Sequence, residues 1–206
     1  MIADPERYAR AIALFDAANG EDPNYEAEAG KRFPKELLYA SRMSEMLGRF
    51  APEASEAVRL AVRCQHIQRW KIPRQDYPMT PAGYQRWRTT LYQFHAETAG
   101  QLMKTAGYDD AMIERVRQVV GKRGLKVNPE TQMMEDVVGL VFLEHYLAAF
   151  AAQHPQYDEA KWLDILRKTW KKMSFAGHEA ALSKIKLPEH LTPLIVKAVG
   201  TPAEAT

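Results

Sequence analysis

Apolar residues recur through this chain at helical spacing, and in three places a polar or charged side chain interrupts the apolar face. Stepping about 100° per residue from Arg59, the side chains Ala57, Val58, Leu60, Ala61, Val62, Cys64 and Ile67 cover most of the circumference of segment 56–70. Such a helix is wrapped by protein. Its last turn puts Gln65, Gln68 and Arg69 on the same faces, with His66 at their edge, which predicts a pocket at that end. In segment 84–103 the stripe Tyr84, Leu91, Thr98, Ala99 and Leu102 also contains Arg88 and His95. A third apolar run, 137–143, directly follows Glu135 and Asp136, and Asp136 shares a face with Leu140, Leu143 and Leu147.

Helix punctuation is legible around these stripes. Asp4-Pro5, Thr80-Pro81 and Asn128-Pro129 each pair an N-cap with proline at the first helical position, and Asp109 or Asp110 and Asp158 can cap two more. Gly20, Gly107 and Gly124 stand where helices should stop. The pattern predicts helices near 5–18, 34–48, 53–71, 81–106, 110–122, 129–153 and 158–174, and shorter ones near 178–184 and 189–198. Convincing alternating strands are absent. The expected fold is all-α: a single-domain helical bundle over 1–199 around the central buried helix of His66, with 200–206 a flexible tail. Segment 19–33 reads as a polar surface excursion. The proline-pinned loop 72–79 carries Arg74 and Tyr77 past the polar end of the central helix, and loop 122–128 holds Lys122, Arg123 and Lys126 before the Asp136 helix.

Charge narrows the functional classes. With 28 basic and 26 acidic residues in 206, the net charge of +2 gives no reason to expect nucleic acid or an anionic membrane as partner. Between Val58 and Ala96, however, Arg59, Arg63, Arg69, Lys71, Arg74, Arg86 and Arg88 face one acid, Asp76. That stretch is either a solvated basic face or a surface for an anion. Cys64, the one cysteine, excludes an internal disulfide and lies on an apolar face as a small core residue. No basic leader and no membrane-length apolar run is present, so the expected location is cytoplasmic. No Walker loop, GxGxxG, CxxC, HExxH or nucleophile elbow occurs.

His66 can serve as a general acid or base, with Arg69 and Arg74 holding an anion, because a guanidinium binds carboxylate or phosphate in a bidentate fork. The alternative is a structural histidine and an arginine paired with Glu135 or Asp136. The same choice applies to His95 and Arg88. Glu135 and Asp136 are either orienters of His66, a base or metal ligands, or acids that stabilise a helix dipole.

Phe15-Asp16-Ala17-Ala18-Asn19 with Asp22-Pro23, Pro34-Lys35-Glu36-Leu37-Leu38-Tyr39, Arg63-Cys64-Gln65-His66-Ile67-Gln68-Arg69-Trp70, Pro73-Arg74 with Tyr77-Pro78, Tyr84 with Trp87-Arg88, His95-Ala96-Glu97 and Glu135-Asp136-Val137 resemble the family named domain of unknown function 4202. That resemblance covers nearly the whole chain and brings no established activity.

Across about 35–153 the chain also resembles, more distantly, the HD superfamily of helical metal-dependent phosphohydrolases. Tyr39-Ala40-Ser41-Arg42-Met43 matches the first element of that family, Gln65-His66-Ile67-Gln68-Arg69 the second, His95 a later histidine and Asp136 the final acid. Tyr39 stands where the family has its first histidine, and Gln65-His66 where it has His-Asp, so the metal motif is degraded and no cofactor is expected. The alternative keeps a divalent ion on His66, His95 and Asp136.

This resemblance implies an HD-like pocket for a small phosphorylated or carboxylated compound, a nucleotide among the candidates. Hydrolysis or transfer at a phosphoester is then the natural chemistry. His66, Asp136, Glu135 and His95 are its candidate catalytic residues, and Arg42, Arg69, Trp70, Arg74, Tyr77, Arg88, Lys122 and Lys126 its ligand-binding set. The competing expectation is a non-catalytic regulatory or scaffold module that docks an acidic protein through its basic surface.

Overall fold

The computed structural model describes residues 2–199, and the expected flexible tail 200–206 lies outside them. The described chain is all-α apart from one hairpin. Its order is α1 (Pro5–Gly20), β1 (Tyr25–Glu28), β2 (Lys31–Pro34), α2 (Lys35–Phe50), α3 (Glu56–Cys64), α4 (Pro81–Ala106), α5 (Asp110–Val120), α6 (Pro129–Val141), α7 (Leu147–Gln153), α8 (Glu159–Lys172), α9 (Phe175–Ser183) and α10 (Thr192–Val199). A π-helical turn, Phe142–Tyr146, joins α6 to α7. No helix among the described residues is long and apolar enough to cross a membrane.

The caps act as the sequence predicts. Asp4, Thr80, Asp109 and Asp158 accept from the backbone N–H groups of Arg7, Gly83, Met112 and Lys161, and Asn128 Oδ1 accepts from Glu130 N at 2.9 Å. Each satisfies an amide that the first helical turn cannot pair internally. Gly107 ends α4 in the left-handed conformation, φ +94°.

The chain divides into two compact units, with the division at residues 134 and 135 inside α6. In the first, α3 is the central element, packed by α1, α2 and α5, while α4 packs on α1 and α5. Ala57, Val58, Leu60, Ala61, Val62 and Cys64 of α3 are buried, as are Phe15 of α1, Met43 of α2 and Val116 of α5. In the second unit α8 and α10 pack together around Leu166, Ile195 and Ala198.

Two segments depart from the expected pattern. Segment 25–34 is an antiparallel hairpin, in register Tyr25 with Pro34 through Glu28 with Lys31. Its turn residues Ala29 and Gly30 both have positive φ, +47° and +76°, the geometry that matches strand twist in two-residue hairpins. The strands have little intrinsic propensity. They are tied down by Arg42 of α2, which bonds Glu26 Oε1 at 2.5 Å and Glu28 Oε1 at 2.9 Å.

The second departure concerns the central helix, which stops at Cys64 rather than near residue 71. Its amides then turn to shorter bonds, with Ile67 N on Cys64 O and Arg69 N on His66 O, both 3.0 Å. Gln68 adopts φ +50°, a conformation that costs a non-glycine residue about 1–2 kcal/mol. Asn19 of α1 offsets that cost, its Oδ1 accepting from Gln68 N at 2.9 Å.

The start of α3 is anchored by two residues more than 50 positions away in the sequence. Glu56 is buried, and its two carboxylate oxygens accept from Tyr108 Oη at 2.6 Å and Ala3 N at 2.9 Å. Tyr108→Phe leaves one of these buried oxygens without a donor. The expected loss is about 1–3 kcal/mol of unfolding free energy, read from urea midpoints at unchanged m-value. An unchanged midpoint would show that the bond contributes nothing net.

Candidate functional site

The truncated central helix sets the site. Because the chain leaves α3 at Cys64, His66 stands in the turn that follows, between the first turn of α2 and the 3-10 turn Arg69–Lys71. Its Nε2 meets Arg69 Nη1 at 2.8 Å and its Nδ1 lies 3.3 Å from Glu36 Oε2. A guanidinium only donates, so Nε2 is the acceptor and the ring proton sits on Nδ1, facing the carboxylate. Tyr39, one turn beyond Glu36 on α2, stacks on the imidazole at 4.1 Å between ring centroids. Tyr39 is therefore the floor under His66.

The surroundings hold His66 neutral. Burial first, then the positive charges of Arg69, Lys122, Arg88 and Lys35, push its pKa well below the ordinary 6.5. His95 of α4, 2% exposed, lies 5.8 Å from the His66 ring and is depressed too, first by burial and then by His66 and Arg69, against the effect of a hydrogen bond to the Gln65 backbone. Glu36 goes the other way: burial raises its carboxyl from 4.5 to about 7 despite Arg69 and Lys35. Two neutral imidazoles and one reluctant acid thus stand inside a shell of cations.

That shell is braced by aromatic rings. The Arg69 guanidinium lies 5.0 Å from the Trp87 ring centroid, and Trp87 Nε1 donates to Ile72 O at 2.9 Å. Along one face of α4, Arg88 donates to Tyr84 Oη at 3.1 Å and to Tyr92 Oη at 2.9 Å. Lys122 reaches the Tyr92 ring from the loop after α5, 5.7 Å from its centroid. Lys122 itself sits at φ +55°, a strained backbone held at the edge of the cluster.

The remaining sequence-derived residues lie in varied settings. Arg42 is engaged by the hairpin carboxylates. Arg74 donates to the carbonyls of Tyr77 and Pro78 at 2.9 and 2.8 Å, stapling its own loop, although its guanidinium also lies 5.9 Å from the Trp87 ring. Trp70 is half-buried in the 3-10 turn, and Lys126 is exposed at φ +79°.

Glu135 and Asp136 are buried residues of the second unit. There Asp136 accepts from Ser174 N at 2.6 Å and Ser174 Oγ at 2.7 Å, and so anchors the start of α9. A Cβ at Gly177 would lie 2.7 Å from Asp136 Oδ1, so this approach requires glycine. Cys64 is buried, and burial pushes its thiol pKa up. Among the described residues no group of three His, Cys, Asp or Glu side chains is placed to hold a metal ion.

The family model described as Domain of unknown function (DUF4202) matches residues 9–195. The chain belongs to that family. Neither a curated protein nor a solved structure matches it.

Several residues that carried the DUF4202 resemblance build this site from behind. Asp16 pairs with Arg63 through two bonds of 2.6 and 2.7 Å, Asn19 holds the left-handed Gln68, and Asp22 Oδ2 accepts from Glu36 N at 3.0 Å. Glu36 is the site residue that the helix-wheel reading missed. The signal was present: Glu36 shares the α2 stripe with Tyr39, Ala40, Met43 and Leu47, an acid on an apolar face like His95 on α4.

Because the folded Glu36 carboxyl is raised, the stability it contributes is complete below pH 4.5 and is lost as the pH climbs to about 7. Glu36→Gln has no proton to lose. Its melting temperature should gain on the parent across that window, by the equivalent of up to about 3 kcal/mol, and run parallel above it. A constant parent–variant difference from pH 4 to 8 would show that Glu36 titrates normally. His66 and His95, depressed in both proteins, act in the opposite direction below pH 6.5.

Proposed function

We propose that this protein binds a small phosphorylated or carboxylated compound at the His66 cluster, within an HD-like helical framework. The observation that carries the reading is the bond of Arg69 to the buried His66 imidazole, with Arg88 and Lys122 both over the Tyr92 ring of the neighbouring helix. Guanidinium groups beside an uncharged ring favour an anion, which they can bind in a bidentate fork. Trp87, Tyr84 and Tyr92 hold the guanidinium groups in place, which lowers the entropy lost on binding.

Hydrolysis or transfer at a phosphoester is the chemistry such a site would support. In the free protein His66 Nε2 is taken by Arg69. When Arg69 turns its fork to an anion, Nε2 becomes available to take or give a proton next to that anion, while Glu36 holds the Nδ1 proton and the ring orientation. Glu36 serves as an orienting acid in this reading. The pairing of Nε2 with a guanidinium also supports a second reading, a module that senses the same ligand without chemistry.

The divalent ion that an HD-like framework implies does not fit the residues present. Tyr39 and Gln65 occupy ligand positions, and His66 Nε2 already accepts from Arg69, whose guanidinium disfavours a second cation there.

Inorganic phosphate at millimolar concentration should raise the melting temperature of the parent by several degrees, and that of Arg69→Met or Arg88→Met by much less. Equal shifts in parent and variants, or none with phosphate and with a panel of phosphate monoesters, would overturn the anion site. Elemental analysis of protein purified without chelator should find less than one equivalent of iron, manganese or zinc, and a full equivalent would restore the metal-dependent alternative.

A further inference from the structure

An anion accounts for the guanidinium groups but not for the apolar surface at their edge. Met79 and Tyr84 are exposed, 80% and 40%, where α4 begins. The two stand on either side of one close contact. A Cβ at Gly83 would clash with the Pro78 carbonyl, so the end of loop 72–79 sits directly on the first turn of α4, and Met79 and Tyr84 are the residues that follow Pro78 and Gly83. Exposed apolar side chains grouped beside charged ones are a common mark of a ligand surface.

The Tyr84 ring is joined to the anion site by a hydrogen bond. Its hydroxyl accepts from Arg88 Nη1 at 3.1 Å, one helical turn along the same face of α4, so an anion held by Arg88 has this ring as its neighbour. The bond also fixes the ring, which lowers the entropy lost when a partner settles on it. Neither guanidinium beside the ring is stacked flat on it: those of Arg88 and Arg74 lie 5.8 and 5.9 Å from its centroid, against the roughly 3.5–4 Å of van der Waals contact.

Two more flat groups continue the surface. Trp87 lies 5.8 Å from Tyr84 between ring centroids, at a tilt of 48°, and carries the Arg69 guanidinium 5.0 Å from its own centroid. Arg74, bonded to the carbonyls of Tyr77 and Pro78, is held 5.9 Å from the Trp87 centroid as well as from that of Tyr84. Both arginines assigned to the anion therefore touch this surface, Arg69 at Trp87 and Arg88 at Tyr84. Rings and guanidinium groups favour a flat partner, because stacking brings a whole face into contact and adds an electrostatic term that an aliphatic chain does not gain.

We propose that the ligand is a phosphate ester bearing a flat ring, which lies on Tyr84 while Arg69 and Arg88 hold the phosphoryl group. This assignment rests on the anion site proposed above and adds the class of alcohol to it. Tyr84 is thereby a specificity-determining residue that separates esters by the shape of their organic part.

The test measures dissociation constants by calorimetry for two pairs, phenyl phosphate against cyclohexyl phosphate and adenosine 5′-monophosphate against ribose 5-phosphate. The first pair differs in flatness at similar size, and the second carries its ring on a sugar, so the arms distinguish a simple aryl ester from a nucleotide. In at least one pair the flat ester should bind the parent about tenfold or more tighter than its counterpart. Tyr84→Leu should bring that ratio close to one, and Tyr84→Phe, which loses the same hydroxyl but keeps the ring, should preserve it. Tyr84 is exposed, so neither replacement opens a core cavity. Equal binding within both pairs, or a preference that survives Tyr84→Leu, overturns the role of Tyr84 while leaving the anion site intact. If no ester binds the parent, the anion site fails and this assignment with it.

Discussion

One hydrogen bond between distant parts of the chain decides where the chemistry of the first unit goes. Asn19, at the end of α1, takes the amide of Gln68 and holds that residue in a left-handed turn. Without it the apolar stripe of α3 has no reason to stop at Cys64, and a continued helix would present His66 and Arg69 from a different wall. With it, the chain folds back on itself. His66 is delivered to Glu36 on one side and Arg69 on the other, over Tyr39. The turn is strained, and the strain lies immediately beside the titratable cluster, as it does at many sites where geometry is held for use.

The cluster is organised so that each group suppresses the charge of its neighbour. Arg69 donates to the nitrogen of His66 that would take a proton, and the surrounding cations oppose any such proton at longer range. Burial keeps Glu36 protonated into the neutral range, although the cations beside it favour the carboxylate. The result is a buried imidazole and a buried carboxyl, each held toward its uncharged form.

Residues that look functional in a family pattern divide here between the surface of the site and its foundations. Asp16, Asn19 and Asp22 touch other parts of the scaffold: a guanidinium on α3, a strained amide, and the first amide of α2. Arg42 fastens a hairpin whose strands are too polar and too short to persist unaided, and Asp136 fixes the start of α9. An acid or a guanidinium on an apolar stripe signals a buried polar network, and the stripe alone does not say whether the network supports structure or meets a ligand.

The sequence by itself determined the helical class, the caps and the polar stripes. Capping and amphipathic periodicity are local, and each of these readings depends on residues within a few positions of one another. Glu36 on the stripe of α2 belongs to the same legible kind, open to the wheel that found His95. The early end of α3, the hairpin and the partner of His66 required tertiary contacts. Asn19 and Gln68 are 49 positions apart, and Glu36 and His66 are 30, separations across which periodicity carries no information. The hairpin was missed because Glu-rich strands have low propensity. What stabilises them is Arg42, on a helix that their own sequence does not contain.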